Sequence, residues 1–304
     1  MVIASTSASL GCSTAQSSTP PSYVAPPIVN RSQASVELSA NPVTDGSIVI
    51  VRVLVPQKLN EDQITGEFEG VELPFYQVPS KKPFIYEAVL GVPYGRKPGS
   101  GFVSVKLNLE KTKGSEPDVL VLPLEVKEGT YESETLSADN KFINPSVEDQ
   151  ERMKRDSAEI KEIYGTVTRK KHWKGPFRFP IKSKVTSQFG TKRVFNGEMK
   201  SFHTGLDLKA AEGTPIRAAA PGVVLMAKNL FMTGNTVILD HGYGVLTLYA
   251  HMTRIKVKKG QGVKKGALLG LSGMTGRVSG PHLHWMAIVH RMKVNPLDLT
   301  RVVK

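Results

Sequence analysis

The chain has 304 residues, enough for two domains with a sizeable core in each. Hydrophobic residues make up 40% and charged residues 22%, ordinary values for a soluble globular protein, and no apolar run approaches the roughly 18–20 residues that cross a bilayer. The net charge of +13 favours polyanionic partners (nucleic acid, anionic lipid or an acidic wall polymer) without choosing among them. The basic residues are scattered in short pairs such as Lys258-Lys259 and Lys264-Lys265. With no arginine-rich arm and no familiar nucleic-acid-binding motif, nucleic acid is not the expected partner.

Residues 1–33, rich in Ser, Thr, Pro and Ala, read as a flexible leader. The single cysteine, Cys12, excludes an intramolecular disulfide and a cysteine zinc cluster, so a metal site must use His, Asp or Glu. Cys12 precedes a Ser/Thr/Pro-rich stretch, a place often held by a lipid-modified cysteine. No basic residue comes before it, Met1–Gly11 is only weakly apolar, and Ser9-Leu10-Gly11 matches a lipoprotein cleavage box poorly. A lipid anchor and a disordered or truncated start both stay open, and no clear export signal is visible.

Residues 34–130 change character. Val36–Ser39 and Ser47–Val53 alternate, Phe84–Leu90, Gly101–Leu109 and Val119–Val126 are strand-like, and Asp45-Gly46 and Pro98-Gly99 mark turns. Short strands at this spacing predict an immunoglobulin-like β-sandwich. It contains no histidine and no catalytic constellation. Residues 131–176 read as a linker with an exposed helix from Ser146 to about Tyr164. Asp149 stands three residues after Ser146 as in a capping box, and Glu148, Arg152, Asp156 and Glu159 fall at helical spacings. A basic stretch, Arg169–Lys174, follows, with His172 as a surface residue. Residues 177–304 are glycine-punctuated, with strands at Thr236–Asp240, Val245–Tyr249 and Leu283–Val289. The whole is mainly β: a sandwich, a linker helix and a C-terminal antiparallel sheet.

The chemistry concentrates in that last part. His203 and Asp207 form His-x-x-x-Asp, His282 and His284 form His-x-His, and His251 follows a strand. Residues i and i+2 of a strand face the same side, so His282 and His284 can converge on one cavity. A catalytic zinc takes three protein ligands and leaves a position for water. Two histidines and one aspartate meet that need, and two histidines remain to take the water's proton or stabilise a charged intermediate. Each piece alone occurs by chance; their combination in one domain is the signal. The His-Glu-x-x-His helix of commoner zinc proteases is absent.

These residues stand among further ordered matches: Thr186–Gly190, Phe202–Asp207, Gly213-Thr214-Pro215, Ala220–Val224, Gly234–Gly242, Tyr249-Ala250-His251, Thr275–His284 and Val294-Asn295-Pro296. Over about Phe177 to Leu299 the chain closely resembles the lysostaphin-type or LytM-type zinc endopeptidases of bacterial cell walls. The resemblance implies a small antiparallel β-fold with a groove over one zinc ion per chain. It implies that His203, Asp207 and His284 are the metal ligands, and that His251 and His282 form the catalytic pair. It further implies hydrolysis of peptide cross-links in peptidoglycan, and hence a periplasmic or secreted location. The alternative is a non-catalytic wall-binding protein that activates other hydrolases, which some relatives of this fold are; retention of all five residues argues against it. The bond cleaved, the role of the N-terminal part (positioning, binding or covering the groove) and the oligomeric state stay open.

The remaining candidates have plainer readings. Asp240–Gly244, with His241, reads as a hairpin turn, and so does Asn196-Gly197 beside the groove. His290 is expected at the surface, and Trp285 and Tyr249 in the core. Arg277 is either structural or part of the groove lining.

Overall fold

The computed structural model describes residues 28, 33–109, 116–136, 140–195 and 199–303. Cys12, nearly all of the expected leader and the Asn196-Gly197 turn lie outside the described residues.

Nine strands come first: β1 (Ser35–Leu38), β2 (Val43–Thr44), β3 (Ile48–Val55), β4 (Ile64–Phe68), β5 (Val71–Pro74), β6 (Tyr76–Val78), β7 (Phe84–Gly91), β8 (Gly99–Leu107) and β9 (Asp118–Lys127). They form two sheets, in the orders β1-β3-β7-β6 and β2-β9-β8-β4-β5. The sheets close on a common core, with Val49, Val51 and Leu90 from the first against Phe68, Val105 and Leu124 from the second. Strands β4 to β6 were not among those expected. Their segments are short, and the β4–β5 turn, Glu69-Gly70, has both residues at positive φ (49° and 80°). That is the primed two-residue hairpin, which Glu does not announce in a sequence as Asn or Asp would.

Next come β10 (Ser133–Leu136), α1 (Asn140–Ile143) and α2 (Val147–Tyr164). Ser146 caps α2 by accepting from the Asp149 N–H at 3.1 Å, and Glu148 and Asp149 complement the positive end of the helix. One side of α2 is not solvated, contrary to the exposed helix expected. Asp156 Oδ2 accepts from Phe231 N at 2.8 Å, Lys228 pairs with Glu159 at 2.6 Å, and Tyr164 is buried with Leu248 and Ile288.

The remainder holds β11 (Val185–Ser187), β12 (Lys192–Phe195), β13 (Met199–Phe202), β14 (Leu206–Lys209), β15 (Pro215–Arg217), β16 (Gly222–Leu230), β17 (Gly234–Asp240), β18 (Val245–Ile255), β19 (Gly262–Val263), β20 (Leu268–Ser272), β21 (His282–Val289), β22 (Met292–Val294) and α3 (Pro296–Leu299). The main sheet runs β11-β14-β21-β18-β17-β16-β19, with β15, β20 and β22 beside it. β12 and β13 form a separate hairpin, and β10 lies parallel along β12.

The period of two in β21 explains the layering. Leu283, Trp285, Ala287 and Val289 enter one core, whereas Met286 and Ile288 enter a second core that includes Tyr164 of α2. Helix α2 thus helps cover one end of the face that carries His282 and His284 at the other.

The first core also receives the sandwich. Ile48, Ile50, Val89 and Tyr76 join Trp173, Phe177, Leu206 and Val289. β3 is therefore buried on both faces at its start, which is why Ile48-Val49-Ile50-Val51 is unbroken apolar sequence and not the alternation expected over Ser47–Val53. Trp173, 1% exposed, meets Tyr76 edge-on with ring centroids 5.6 Å apart. Trp173→Ala should destabilise the protein by about 3–5 kcal/mol, the usual loss for a buried Trp truncation. Because its cavity opens between the two parts, urea unfolding should shift both together. An unmoved sandwich transition would contradict the shared core.

Candidate metal centre

Backbone register assembles the centre. Asp207 of β14 lies opposite His284 of β21, and His284 lies opposite Ala250 of β18. His203 follows β13 and returns to Asp207 through Thr204-Gly205-Leu206. A Cβ at Gly205 would stand 2.5 Å from the Trp285 carbonyl oxygen, so only glycine lets this turn approach β21.

The atoms converge tightly. His203 Nε2 is 3.0 Å from Asp207 Oδ1 and 3.0 Å from His284 Nδ1, and His284 Nδ1 is 2.8 Å from Asp207 Oδ1. A tetrahedral ion with bonds of about 2.0–2.1 Å sets its ligands roughly 3.3 Å apart, so a small relaxation admits one. The tautomers suit the purpose. His203 Nδ1 lies 2.7 Å from the Gln188 carbonyl oxygen, which can only accept. Nδ1 therefore keeps its proton when an ion binds, and Nε2 is the atom that can give up a proton and turn a lone pair into the cluster. Burial pushes the Asp207 carboxyl up, but hydrogen bonds from His203 and His284 outweigh it and hold it well below the usual carboxylate range. Two imidazoles and one carboxylate, all buried, fit a zinc-type ion.

The other two predicted histidines flank this trio. His251 Nδ1 donates to the Thr275 carbonyl at 2.8 Å and His282 Nδ1 donates to the Gly280 carbonyl at 2.8 Å. Each keeps Nε2 as an acceptor, and His282 Nε2 lies 3.5 Å from Asp207 Oδ1. Their rings are 4.9 Å apart between centroids. His251 does not follow a strand, as the sequence suggested; it lies inside β18, which continues to Ile255. Its φ is +60°, and the pairing with β17 shifts register between Asn235 and Val237. Such a bulge re-aims a side chain, and a non-glycine residue at positive φ is held there by its surroundings. Burial, reinforced by nearby His282 and His284, keeps the His251 pKa well below that of a free imidazole.

All five residues line one cavity of about 790 Å³. Arg277 lines it as well, which settles its place in the groove wall. So do Glu134, Ser187 and Arg193, which no sequence argument singled out as site residues. Among the non-site histidines, His241 lies in the β17–β18 turn, where Tyr243 also takes positive φ (48°). His241 Nδ1 donates to the Pro221 carbonyl at 2.7 Å, and Nε2 meets Thr247 Oγ1 at 2.7 Å. His172 is half-buried. His290, expected at the surface, is 6% exposed, because Gly244 packs against its ring. Trp285 and Tyr249 are in the core as expected.

Residues 201–296, which contain the five converging side chains, match peptidase family M23. The chain carries a peptidase family M23 domain. Among curated relatives, the peptidoglycan DD-endopeptidase ShyA of Vibrio cholerae is 42% identical over 123 residues, 40% of this chain and 29% of ShyA. The DD-carboxypeptidase/endopeptidase Mpg of Neisseria meningitidis is 37% identical over 119 residues, 39% of this chain and 27% of Mpg. The chain thus matches less than a third of the length of either relative. A solved structure from Pseudomonas aeruginosa assigned to peptidase M23 is 25% identical, with a TM-score of 0.64, over 86% of this chain and 96% of that one. That likeness extends beyond the M23 domain into the sandwich.

Burial pulls the pKa of His241 and of His290 down to about 4. In the unfolded chain each titrates near 6.5. Between these values the unfolded state binds more protons, so stability is full above about pH 6.5 and falls as pH drops toward 4. The metal-free protein should lose about 2 kcal/mol per histidine between pH 6.5 and pH 5. Urea melts at the two values measure this, and a stability that held constant would refute neutral burial.

Proposed function

We propose that the chain is a zinc-dependent endopeptidase that hydrolyses peptide cross-links of bacterial peptidoglycan. The observation that carries this reading is the convergence of His203 Nε2, Asp207 Oδ1 and His284 Nδ1, with the acceptor-bearing histidines His251 and His282 on the same cavity. The names of ShyA and Mpg supply the substrate class. A wall substrate puts the working site in the cell envelope, and no helix among the described residues is long and apolar enough to cross a membrane.

His203, Asp207 and His284 would hold the ion. When bound, zinc supplies a Lewis acid that polarises the scissile carbonyl and lowers the pKa of an attacking water. The chain's own groups manage the protons. With Nδ1–H committed to the Thr275 and Gly280 carbonyls, His251 and His282 can each take up a proton only at Nε2. One of them accepts the proton of the attacking water at Nε2. The other, protonated at Nε2 from solvent, donates a hydrogen bond to the oxyanion and keeps that proton, and the first returns its proton to the leaving amine. The depressed His251 pKa means that this ring begins neutral at neutral pH, as an acceptor must. A non-catalytic, wall-binding activator would need none of these five groups, and their joint presence favours the enzyme.

The test is digestion of purified, directly cross-linked peptidoglycan by the zinc-loaded protein, followed by mass analysis of the muropeptides. Cross-linked dimers should fall to monomers with wild type. Chelation, Asp207→Ala or His284→Ala should abolish the conversion. His251→Ala should lower the rate roughly 100-fold or more, as loss of a general base does. Unchanged muropeptides with folded, zinc-loaded protein would sink the endopeptidase reading and revive the activator, which would then stimulate a separate hydrolase.

A further inference from the structure

The two oxygens of Asp207 have different neighbours. Oδ1 faces His203, His284 and His282, at 3.0, 2.8 and 3.5 Å. Oδ2 accepts from Arg193 Nη2 at 2.6 Å. The same Arg193 nitrogen donates to Ser187 Oγ at 2.9 Å, and Ser187 Oγ lies 3.1 Å from His203 Nδ1. Arg193 therefore reaches two of the three proposed metal ligands, one directly and one through a hydroxyl.

Arg193, which like Glu134 precedes the matched residues 201–296, is itself held by a residue from before helix α2. Glu134 Oε1 accepts from Arg193 Nε at 2.6 Å and from Ser187 Oγ at 2.9 Å. Glu134 lies on β10, and parallel pairing sets Glu134 beside Arg193 in the β10–β12 register. The strand is anchored at its start. The Tyr131 hydroxyl donates to the Asp45 backbone oxygen at 2.8 Å and lies 2.9 Å from Asp45 Oδ1, and its ring covers Gly190. A continuous chain of contacts thus links the β2–β3 turn of the sandwich to the metal-facing carboxylate.

The charges balance. Arg193 and Glu134 cancel, so the pair orients Asp207 without adding net positive charge beside a divalent cation. Both are largely shielded, with side chains 14% and 26% exposed, which weakens solvent screening.

We propose that the Glu134–Arg193 pair is a positioning element of the metal centre, which holds Asp207 by Oδ2 so that Oδ1 alone is presented to the ion. This rests on the reading that His203, Asp207 and His284 bind zinc. Residues that orient metal ligands typically change affinity 10- to 100-fold when altered.

The experiment is zinc titration of the full metal-free chain against a chromophoric chelator, with melting temperature measured on the same samples. Wild type should bind one zinc and Asp207→Ala should not. Arg193→Gln should weaken binding roughly 10-fold or more by freeing Oδ2. Glu134→Gln should weaken it at least as much, since an uncompensated guanidinium then faces the ion. The double variant should lose less than the product of the two, because both changes break one unit. Arg193→Lys, which keeps the charge but not the planar fork, should restore only part of the affinity. The affinities are compared well below each variant's metal-free melting temperature, where every protein is folded, so that loss of fold, the effect of a merely structural role, cannot produce the shifts. Affinities within twofold of wild type in both single variants, with Asp207→Ala still inactive in binding, would overturn the proposal alone. Tighter binding by either variant would do the same. No zinc binding by wild type would overturn the metal reading and this proposal with it.

Discussion

The antiparallel register of β14, β21 and β18 is the constraint on which the site depends. It sets Asp207 against His284 and His284 against Ala250. A slip of one residue would turn His282 and His284 into the apolar core and bring Leu283 and Trp285 to the groove. The opposite face prevents that slip, since Leu283, Trp285, Ala287 and Val289 are each fully buried. The chemistry is thus positioned by packing on the far side of the strand. The ligands themselves contribute little to choosing the register, because three buried polar side chains are costly until they pair with one another.

The sandwich belongs to the same packing problem. Ile48, Ile50 and Val89 extend the core that lies behind the proposed metal ligands. Polar contacts fix the join: Ile48 N donates to Asp298 Oδ2 at 2.9 Å, Asn295 N donates to the Gly46 carbonyl at 2.8 Å, and the Tyr243 hydroxyl donates to Glu61 at 2.6 Å. At the groove rim, Tyr94 of the sandwich stacks on Phe202 with centroids 4.2 Å apart. Phe202 immediately precedes His203. A ligand-bearing turn braced in this way loses little freedom when an ion binds, which is the benefit of building a site on rigid elements.

The five candidate residues stood out in the sequence because their types are rare and, for two pairs, their spacings short. His203 and Asp207 are four apart, and His282 and His284 two apart, so local geometry alone brings each pair together. Strands were legible where one face is solvated and alternation survives, as in β1. They were lost where alternation was short or carried by polar residues, as in β4 to β6. His251 was seen as chemistry but misplaced in structure, since a bulge at positive φ leaves no compositional mark on Tyr249-Ala250-His251. His290 was misjudged because its burial comes from Gly244, 46 positions earlier in sequence. Glu134 and Arg193 were invisible for a similar reason. A charged residue in a polar segment reads as solvated surface, and only the parallel pairing of β10 with β12, 59 residues apart at Glu134 and Arg193, gives those charges a partner.

Electrostatics explains why the site needs neighbours beyond its ligands. Asp207 is buried and ionised, a state that burial opposes and that paired donors must sustain. Before an ion binds, those donors are His203 and His284 on Oδ1 and Arg193 on Oδ2. The ion would displace the histidine contacts on Oδ1, since the same nitrogens must turn their lone pairs to the metal. It would leave the Arg193 contact untouched. Arg193 is therefore the one partner of the carboxylate common to both states among those described, and Glu134 is the residue that keeps it from repelling the incoming charge. Metal binding would then exchange one set of partners on a single oxygen, with the rest of the frame already in place.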